Sequence, residues 1–367
     1  MTKIKLGLIF GGRSGEHEVS LISARSIFDA IDKNKYNVSL IGIDKKGSWH
    51  LGEANNFWIN PEDQKKVKLN LKNAPEITAV NKNEKVYLID LKNGKNLSQI
   101  DVFFPITHGT FGEDGCLQGF LELLGAAYVG PGVLGSAVGM DKDFMKRIFR
   151  EKGIATADYF ALTKGETDKK KISKIIKTLG FPIFVKPANL GSSVGISKAK
   201  NGKGLKMAID LAFQYDTKII LEEAIVGREI ECSVLGNEKP IASQPGEIKL
   251  SSEFYSYAAK YIDGNASQPI PKAELPKKEM EQIQNLAIAV FKALGCEGMG
   301  RVDFFLTKNG KIYANEINTL PGFTAISMYP KMFAESGISY PKLLDKLVQL
   351  GLERKERNDK LKRDFAI

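Results

Sequence analysis

An Asn-Gly dipeptide near the C-terminal end of the chain, Asn309-Gly310, constrains the fold more than any other sequence feature. It separates two segments, 301–306 and 312–318, in which apolar and polar residues largely alternate. Asn-Gly between alternating segments favours a β-hairpin closed by a two-residue type I′ turn. Such a turn pairs Lys308 with Lys311, and this pairing fixes every pair further along the two strands.

The same register places charged side chains together on one face of the hairpin. Counting outward from the turn sets Asp303 opposite Glu316 and Arg301 opposite Asn318, and residues two apart on a strand share a face. Opposed Cβ atoms lie about 4.5–5.5 Å apart, so two carboxylates there repel unless a cation lies between them. Two carboxylates and an amide oxygen suit Mg²⁺. The alternative is an exposed edge hairpin whose acids face water.

The N-terminal segment predicts a parallel α/β unit. A buried strand over Lys3–Phe10 precedes helical spacing over Val19–Ile31 and a second strand over Val38–Ile43, the order that opens a parallel sheet with covering helices. Residues 44–97 are polar and irregular, and we expect short edge hairpins there. Changes of pattern divide the 367 residues into units 1–140, 141–235 and 236–367, and the fold class is α/β with three domains.

Composition excludes several classes of protein. The chain is 43% hydrophobic and 26% charged, which is ordinary for a globular protein. Its net charge of +10 comes from lysines scattered in mixed segments, without the aromatic-interleaved basic stripe of nucleic-acid binding. Three widely spaced cysteines fit a reducing compartment. Apolar segments are too short for a signal peptide or a membrane span, so we expect a cytoplasmic protein with no membrane partner.

A strand followed by a Gly/Ser loop, 181–195, has the chemistry of an anion site. Lys186 ends the strand, and Gly191-Ser-Ser-Val-Gly195 follows it, so backbone N–H groups, hydroxyls and an ammonium are close together. Neither this loop nor Gly11–Gly15 matches a Walker or dinucleotide-binding motif. A later strand ends in acids at Glu222, seven residues before Glu229. This spacing fits an adenine contact and a ribose contact, although solvated strand ends are the simpler interpretation.

Two segments are the most specific in the chain: His108-Gly-Thr-Phe-Gly-Glu-Asp-Gly-Cys-Leu-Gln-Gly119, and Arg301-Val-Asp303 with Glu316-Ile-Asn-Thr-Leu-Pro-Gly322. They resemble the signature segments of D-alanine–D-alanine ligases, which are ATP-grasp enzymes, and residues 11–20 and 186–195 also fit this family. The resemblance runs from residue 4 to about residue 347 and is loose over 44–100. It implies an N-terminal substrate-binding domain, a central ATP-grasp lid domain and a C-terminal ATP-grasp catalytic domain, with ATP between the last two.

The resemblance also implies roles for individual residues. The contacts to ATP would come from Lys142, Lys186, Ser193, Glu222, Glu223, Ile225 and Glu229. Two Mg²⁺ ions, with Mn²⁺ as an alternative, would be held by Asp303, Glu316 and Asn318. The first D-alanine would be bound by Glu16 with Ser192 and Tyr261, near His108. Ser327 would bind the carboxylate of the second D-alanine, and Arg301 and Gly322 would bind the oxyanion. Lys260 would be a further substrate-binding residue, beside Tyr261 on the loop that closes the site.

The implied reaction is ATP-dependent ligation of two D-alanine molecules through an acyl phosphate, for peptidoglycan synthesis, by an enzyme that commonly forms homodimers. Relatives that use D-lactate or D-serine as the second substrate are one alternative, although Tyr261 argues against the D-lactate type. A different ATP-grasp carboxylate–amine ligase is a second alternative, but it would lack the His108 segment. A basic nucleic-acid or surface-binding protein without catalysis is a third, whose affinity would fall steeply with salt.

Overall fold

The first of three main β-sheets lies in the N-terminal part of this computed structural model, which describes residues 2–250 and 267–363. Its strand order is β10-β9-β1-β2-β3-β6-β7-β8. The strands are β1 (Ile4–Gly11), β2 (Tyr36–Ile43), β3 (Trp49–Gly52), β6 (Glu76–Lys82), β7 (Lys85–Asp90), β8 (Asn96–Ile100), β9 (Val102–Pro105) and β10 (Ala127–Tyr128). Strands β10, β9, β1 and β2 are parallel, which confirms the predicted α/β opening.

The segment 44–97 is more regular than its composition indicates. Strands β3, β6, β7 and β8 add to the sheet in antiparallel pairs, and a separate ribbon is formed by β4 (Trp58–Ile59) and β5 (Lys68–Leu69). The prediction of edge hairpins is therefore confirmed, but these hairpins add four strands to the main sheet and are more extensive than predicted. Polar residues dominate here because much of this part of the sheet is solvent-exposed, as in an antiparallel sheet with one wet face.

Strand β1 is buried on both faces. Leu6, Leu8 and Phe10 pack in one apolar cluster, and Ile9 packs in another on the opposite face. The covering helices are α1 (His17–Ala30), α2 (Cys116–Leu123) and α9 (Tyr340–Asp359), whereas α3 (Val133–Met140) packs towards the third sheet. Burial of both faces explains why the strand is a continuous apolar segment without alternation.

The second sheet is a four-stranded antiparallel sheet of order β11-β14-β12-β13. Its strands are β11 (Tyr159–Thr163), β12 (Ile183–Pro187), β13 (Ser197–Ala199) and β14 (Lys218–Glu223), and helices α5 (Lys169–Leu179) and α6 (Gly202–Ala212) pack on it. Helix α4 (Lys142–Glu151) precedes this sheet, and a 3₁₀ turn covers Lys164–Glu166. The predicted order of strand, Gly/Ser loop and strand over 181–199 is confirmed by β12 and β13.

The third sheet has the order β18-β17-β15-β19-β20, with β16 paired to β15. Its strands are β15 (Arg228–Gly236), β16 (Ile241–Ala242), β17 (Gly246–Leu250), β18 (Ser267–Ile270), β19 (Gly298–Leu306) and β20 (Ile312–Asn318). Helix α7 (Lys277–Ala293) packs against one face through the apolar side chains of β15, β19 and β20. Helix α8 (Met328–Glu335) follows the sheet.

The predicted hairpin is present, but its turn differs from the prediction. Asp303 lies opposite Glu316 and Arg301 opposite Asn318, as predicted. The pairing of Lys308 with Lys311 is wrong, because the amide N–H of Thr307 donates to the carbonyl of Lys311. Only Gly310 of the dipeptide has a positive φ, 78°, so the loop is three residues long, with a turn from Thr307 to Gly310.

A β-bulge reconciles this longer loop with the predicted register. The ladder shifts by one residue between Asp303 and Phe304, where Phe304 pairs with Ala314 while Asp303 pairs with Glu316. Asn315 is therefore the extra residue. The longer loop displaces the strands by one position, and the bulge restores the register beside the two acids.

We propose that the division into units 1–140, 141–235 and 236–367 be adjusted at its second boundary. Strand β15 pairs with β17 and β19 of the third sheet along most of its length, so a boundary after residue 235 would separate this strand from its sheet. A boundary near Gly227, between β14 and β15, keeps each sheet intact. Across the described ranges, no helix combines the length and apolarity needed to cross a bilayer.

Candidate active site

Three acidic side chains lie directly opposite one another on three neighbouring strands of the third sheet. Glu231 on β15 pairs with Asp303 on β19, which pairs with Glu316 on β20. Directly opposed residues point to the same face, and the opposite face is the apolar one that contacts α7. We call Glu231, Asp303 and Glu316 the carboxylate row. Such closely spaced acids require compensating cations.

Arg301 supplies one of these cations. Its Nε and Nη2 each donate to an oxygen of Asp303 at 2.7 Å, and its Nη2 lies 3.4 Å from Oε1 of Glu231. Burial lowers the pKa of Arg301, but the charges of Asp303 and Glu231 outweigh burial and hold that pKa well above its ordinary value. Asn318 Nδ2 also donates to Asp303, at 3.0 Å. The guanidinium is thus fixed between two members of the row.

The β-bulge directs two consecutive side chains towards lysines of the preceding domain. Ala314 and Ile317 are buried in the apolar cluster, so both residues between them, Asn315 and Glu316, face away from it. Glu316 Oε2 lies 3.2 Å from Nζ of Lys142, and Nζ of Lys186 lies 3.5 Å from Oδ1 of Asn315. A regular strand would present only one of two consecutive residues to this face.

Lys142 is the first residue of α4 and lies beside residues 188–196, which we call the phosphate loop. Its amide N–H donates to the carbonyl of Ala188 at 3.0 Å, and its Nζ donates to the carbonyl of Leu190 at 2.8 Å. Ser192 and Ser193 both have left-handed backbone, with φ of 53° and 59°. Residues other than glycine rarely adopt this conformation outside sites that require it.

A buried carboxylate, Glu222, lies between Lys186, which precedes this loop, and Lys146 of helix α4. Glu222 is 2% exposed, and its oxygens lie 3.3 Å from Nζ of Lys186 and 3.3 Å from Nζ of Lys146. Burial raises the pKa of Glu222, but the two lysines outweigh burial and hold it below its ordinary value. Burial, together with the charge of Lys186, lowers the pKa of Lys146 although Glu222 raises it. One carboxylate shared by two ammonium groups leaves an excess of positive charge, which favours a phosphate ligand.

The remaining residues predicted to contact ATP lie around the connection between β14 and β15. Glu223 ends β14 and accepts a hydrogen bond from the amide N–H of Asp158 at 2.8 Å. Ile225 is half-buried in the connection, and Glu229 lies on β15, two residues before Glu231 on the same face. Glu222 is engaged by lysines instead of facing open space. The adenine and ribose contacts therefore stay predictions.

Glu16 and Ser192, predicted to act together, are brought into contact from distant parts of the chain. Glu16 immediately precedes α1, and the hydroxyl of Ser192 donates to its Oε1. Glu113 lies in the same pocket, where its Oε2 accepts the amide N–H of Gly109 at 2.7 Å. Burial, followed by the charge of Glu16, raises the pKa of Glu113 to about 8. The pocket therefore favours a cationic ligand next to Glu16.

His108 connects this pocket to the segment that carries Gly322. Its Nδ1 lies 3.0 Å from the carbonyl of Leu320, and its Nε2 lies 3.1 Å from Oγ of Ser23. Because a carbonyl only accepts, Nδ1 carries the proton, and Nε2 accepts from the serine hydroxyl. The imidazole is thus buried between α1 and residues 319–323. These contacts fix the orientation of the ring, and the predicted role of His108 near the first D-alanine stays a prediction.

Gly322 and Ser327 are also adjacent. A Cβ at Gly322 would lie 2.7 Å from Oγ of Ser327, so the backbone approaches this hydroxyl too closely for a larger residue. Ser327 Oγ accepts the amide N–H of Thr324 at 2.9 Å and lies just before α8. Lys260 and Tyr261, predicted for the same part of the site, lie outside the described residues.

Comparison with known proteins decides the family. Models described as the D-ala D-ala ligase N-terminus and C-terminus match residues 5–131 and 148–349. The chain belongs to the D-alanine–D-alanine ligase family. It is an ATP-dependent ligase with the ATP-grasp fold, as the sequence predicted, and the reaction of its family is the joining of two D-alanine molecules for peptidoglycan synthesis.

Individual relatives support this assignment over the whole chain. A D-alanine–D-alanine ligase of Oceanobacillus iheyensis is 50% identical over 98% of this chain and 98% of its own. The D-alanine–D-alanine ligase A of Escherichia coli K12 is 46% identical over 99% of both chains. The solved D-alanine–D-alanine ligase of Coxiella burnetii has a TM-score of 0.84 and 37% identity, covering 98% of this chain and 97% of its own.

One solved relative is named for a different second substrate. The VanG D-Ala:D-Ser ligase of Enterococcus faecalis matches with a TM-score of 0.84 and 37% identity, covering 95% of this chain and all of its own. Its resemblance in fold equals that of the Coxiella ligase, so fold alone does not separate the two acceptors.

The side-chain oxygens of two members of the carboxylate row and of the neighbouring Asn318 fit the Mg²⁺ implied by this family. Asp303, Glu316 and Asn318 provide carboxylate and amide oxygens on one face, the ligands that Mg²⁺ prefers. Their acids now carry cationic partners, since Arg301 binds Asp303 and Lys142 binds Glu316. In the part of the chain that the structure describes, no group of three or more His, Cys, Asp or Glu side chains is arranged to hold a metal. Two carboxylates and an amide are consistent with that result.

Three residues of the site were assigned no role from the sequence, although each carried a signal. Glu231 follows Glu229 by two residues on an alternating strand, which places both on one face. Lys146 follows Lys142 by four residues on a helix, which places both on one side. Glu113 lies inside the His108 segment, but no pattern distinguishes a buried acid there from a solvated loop.

Proposed function

We propose that this site ligates two D-alanine molecules with ATP, using the residues assembled around the carboxylate row. The observation that supports the proposal most is the meeting of three structures: the row with Arg301, the two lysines Lys142 and Lys186, and the pocket of Glu16. A metal-and-phosphate region thus adjoins a region that favours an ammonium group. These are the two halves of an amino-acid carboxylate activated by a nucleotide.

The nucleotide lies between the second and third sheets in this proposal. Lys142 and Lys186 bind the phosphates, and Ser193 in the phosphate loop adds donors. Both lysines approach from elements of the second domain and contact the bulge at residues 315–316 of the third sheet. Glu222, Glu223, Ile225 and Glu229 contact adenine and ribose. The lysines offset the charge that spreads over the transferred phosphoryl group.

Two Mg²⁺ ions would be held by Asp303, Glu316 and Asn318, with Mn²⁺ as an alternative. Bound there, the metal would neutralise the phosphate oxygens and orient the γ-phosphate towards the carboxylate of the first D-alanine. Arg301 stays beside Asp303 and contributes a fixed positive charge at the reacting carboxyl group. Lys142, which now pairs with Glu316, is close enough to exchange that partner for a phosphate.

The first D-alanine binds through its ammonium group to Glu16, whose carboxylate is oriented by Ser192. Its carboxylate attacks the γ-phosphorus of ATP, which releases ADP and leaves an acyl phosphate. The amine of the second D-alanine, after losing a proton, attacks the acyl carbon and expels phosphate. Arg301 and the amide N–H of Gly322 stabilise the tetrahedral oxyanion, and one such donor contributes about 3–4 kcal/mol.

The second D-alanine binds through its carboxylate to Ser327, and Lys260 and Tyr261 are further substrate-binding residues in this proposal. D-serine is a second candidate acceptor because the VanG D-Ala:D-Ser ligase matches this fold as well as the Coxiella ligase does. We favour D-alanine because the relatives with 46–50% identity are D-alanine–D-alanine ligases. We further propose a cytoplasmic homodimer that joins through the N-terminal part of the chain.

The test is phosphate release from ATP with D-alanine, compared with L-alanine, D-serine and D-lactate. D-alanine should be required as donor and preferred as acceptor, and no dependence on D-alanine would refute the proposal. A preference for D-serine would leave the ligase chemistry and change the acceptor.

Two substitutions test the metal residues within the same assay. Asp303→Asn and Glu316→Gln should each lower Mg²⁺-dependent turnover by about a thousandfold or more, because each removes a charged oxygen ligand. Glu356→Gln on the exposed side of α9 is the matched control and should leave turnover unchanged. Near-normal turnover in either site variant, with unfolding like the wild type, would refute the metal assignment.

A further inference from the structure

The carboxylate row contains one more acid than the proposed metal site uses. Asp303 and Glu316 are proposed metal ligands, whereas Glu231 lies on the far side of Asp303, away from Glu316. Its side chain is 12% exposed and contacts the guanidinium of Arg301, with Oε1 3.4 Å from Nη2. A buried carboxylate next to a reacting arginine requires a reason to be there, because an apolar residue would avoid its desolvation cost.

We propose that Glu231 is a positioning residue that holds Arg301 when Asp303 turns from the arginine to a divalent cation. The inference rests on the proposed function, because it takes Asp303 as a metal ligand. It assigns Glu231 neither to the metal nor to a substrate.

Asp303 would have to bind both Arg301 and a divalent cation, and these two positively charged partners repel each other. Both of its oxygens accept hydrogen bonds from Arg301 at 2.7 Å, and one also accepts from Asn318 at 3.0 Å. Three of the roughly four lone-pair positions of the carboxylate are used in this way, and a cation at the remaining one repels the guanidinium. Cation binding therefore weakens the pairing of Arg301 with Asp303.

A guanidinium this deep cannot remain without a carboxylate partner at low cost. The side chain of Arg301 is 12% exposed, and leaving a buried charge unpaired is strongly unfavourable. Glu231 is directly opposite Asp303 on the neighbouring strand, so it can keep the guanidinium in place without any movement of the backbone. The remaining N–H groups of Arg301 then face the reacting carboxyl group.

The contact itself differs from that of a purely structural pair in the same sheet. Arg228 binds Glu247 through two hydrogen bonds of 2.9 and 2.8 Å, on β15 and β17. Arg301 forms the equivalent bidentate pair with Asp303, whereas its Nη2 lies 3.4 Å from Oε1 of Glu231. The longer contact is suited to a partner that tightens its hold only after Asp303 is withdrawn.

The experiment measures Mn²⁺ binding to the full-length protein with ADP present, by the electron paramagnetic resonance of free Mn²⁺. Glu231→Gln keeps the shape of the side chain and removes its charge. It should weaken Mn²⁺ binding about tenfold, the effect of losing one charged partner. Glu231→Asp should restore part of that loss. In phosphate release, Glu231→Gln should raise the Mg²⁺ requirement and lower kcat, with little change in the KM for ATP at saturating Mg²⁺.

The matched control is Glu247→Gln, which removes the carboxylate of the other arginine pair in the sheet. It should lower the free energy of unfolding while leaving Mn²⁺ binding unchanged. A decisive comparison repeats Glu231→Gln in an Arg301→Met background. If Glu231 acts through Arg301, its substitution there should no longer affect Mn²⁺ binding.

Three results would overturn the inference. The first is unchanged Mn²⁺ binding and Mg²⁺ dependence in Glu231→Gln. The second is an equal loss in the Arg301→Met background, which would make Glu231 a metal ligand or a general source of charge. The third is a wild-type protein that binds no Mn²⁺. The binding assay does not depend on ligation, so a failure of D-alanine-dependent turnover would refute the proposed function separately.

Discussion

Replacing Lys146 by Met tests how the buried charges of the nucleotide site depend on one another. Lys146 and Glu222 are 1% and 2% exposed, and their charged atoms lie 3.3 Å apart. Met has nearly the same length and no charge, so the substitution removes the ion pair and leaves the packing largely intact. Thr156 also loses the hydrogen bond that Lys146 donates to it at 2.8 Å.

The expected magnitude follows from the pairing. At an effective dielectric constant of about 20, charges 3.3 Å apart attract by about 5 kcal/mol. Removal of Lys146 also removes the cost of burying it, and Glu222 keeps Lys186 as a partner. We therefore expect Lys146→Met to lower the free energy of unfolding by about 3 kcal/mol, the low end for a broken buried pair.

The assay is urea unfolding of a double-mutant cycle with Glu222→Gln. Each single variant leaves a buried charge with too few partners, whereas the double variant removes both members of the pair. The double variant should be about 2 kcal/mol more stable than the sum of the single losses predicts. Lys146→Met should also weaken nucleotide binding, because Lys186 becomes the sole cationic partner of Glu222. Additive stability losses, or unchanged nucleotide affinity, would contradict the reasoning.

Two further substitutions test the hairpin turn and the Glu16 pocket. Gly310 has a φ of 78° with open space around its Cβ position, so Gly310→Ala should cost about 1 kcal/mol of unfolding free energy. Gly202→Ala, on helix α6, is the control and should cost nothing; equal effects would contradict the turn geometry. The pKa of Glu113 is raised to about 8, so its protonated form stabilises the fold; this stability is complete below about pH 4.5 and is lost as the pH rises towards 8. Glu113→Gln should therefore flatten the decrease in unfolding free energy over that range, and a profile parallel to the wild type would refute the pKa assignment.

The hairpin shows how far sequence reasoning reached and where it stopped. The pairing of Asp303 with Glu316 was predicted correctly, but from a two-residue turn that does not form. Asn-Gly is compatible with both a two-residue and a three-residue loop, and only the dihedral angle of Asn309 distinguishes them. The bulge at Asn315 compensates for the longer loop. Its cause is tertiary, because two consecutive side chains must reach lysines of another domain, and one-dimensional alternation carries no such information.

Lys146 and Glu231, to which the sequence assigned no role, have a similar explanation. Glu16 and Ser192 could be paired from the resemblance, and the structure brings them into contact. Lys146 and Glu231 contact the charged side chains Glu222 and Arg301, so an expectation based on ligand contacts does not include them. Their roles depend on distances of 3.3–3.4 Å between elements far apart in sequence. Helix and strand periodicity indicates the faces on which they lie but gives no reason to select them.

The site balances its own charge before any ligand enters. Ion pairs join carboxylates to cations in three neighbouring groups, which are Lys142 with Glu316, Arg301 with Asp303 and Glu231, and Glu222 with Lys146 and Lys186. The groups contain four acids and four bases, but their charges are unevenly distributed, because two lysines share Glu222 whereas two acids share Arg301. In the proposed function, Lys142 and Lys186 exchange side-chain oxygens of Glu316, Asn315 and Glu222 for phosphate oxygens, while Asp303 and Glu316 exchange Arg301 and Lys142 for a divalent cation. This exchange of partners would link metal binding to nucleotide binding, because Lys142 and Glu316 release each other in the same step.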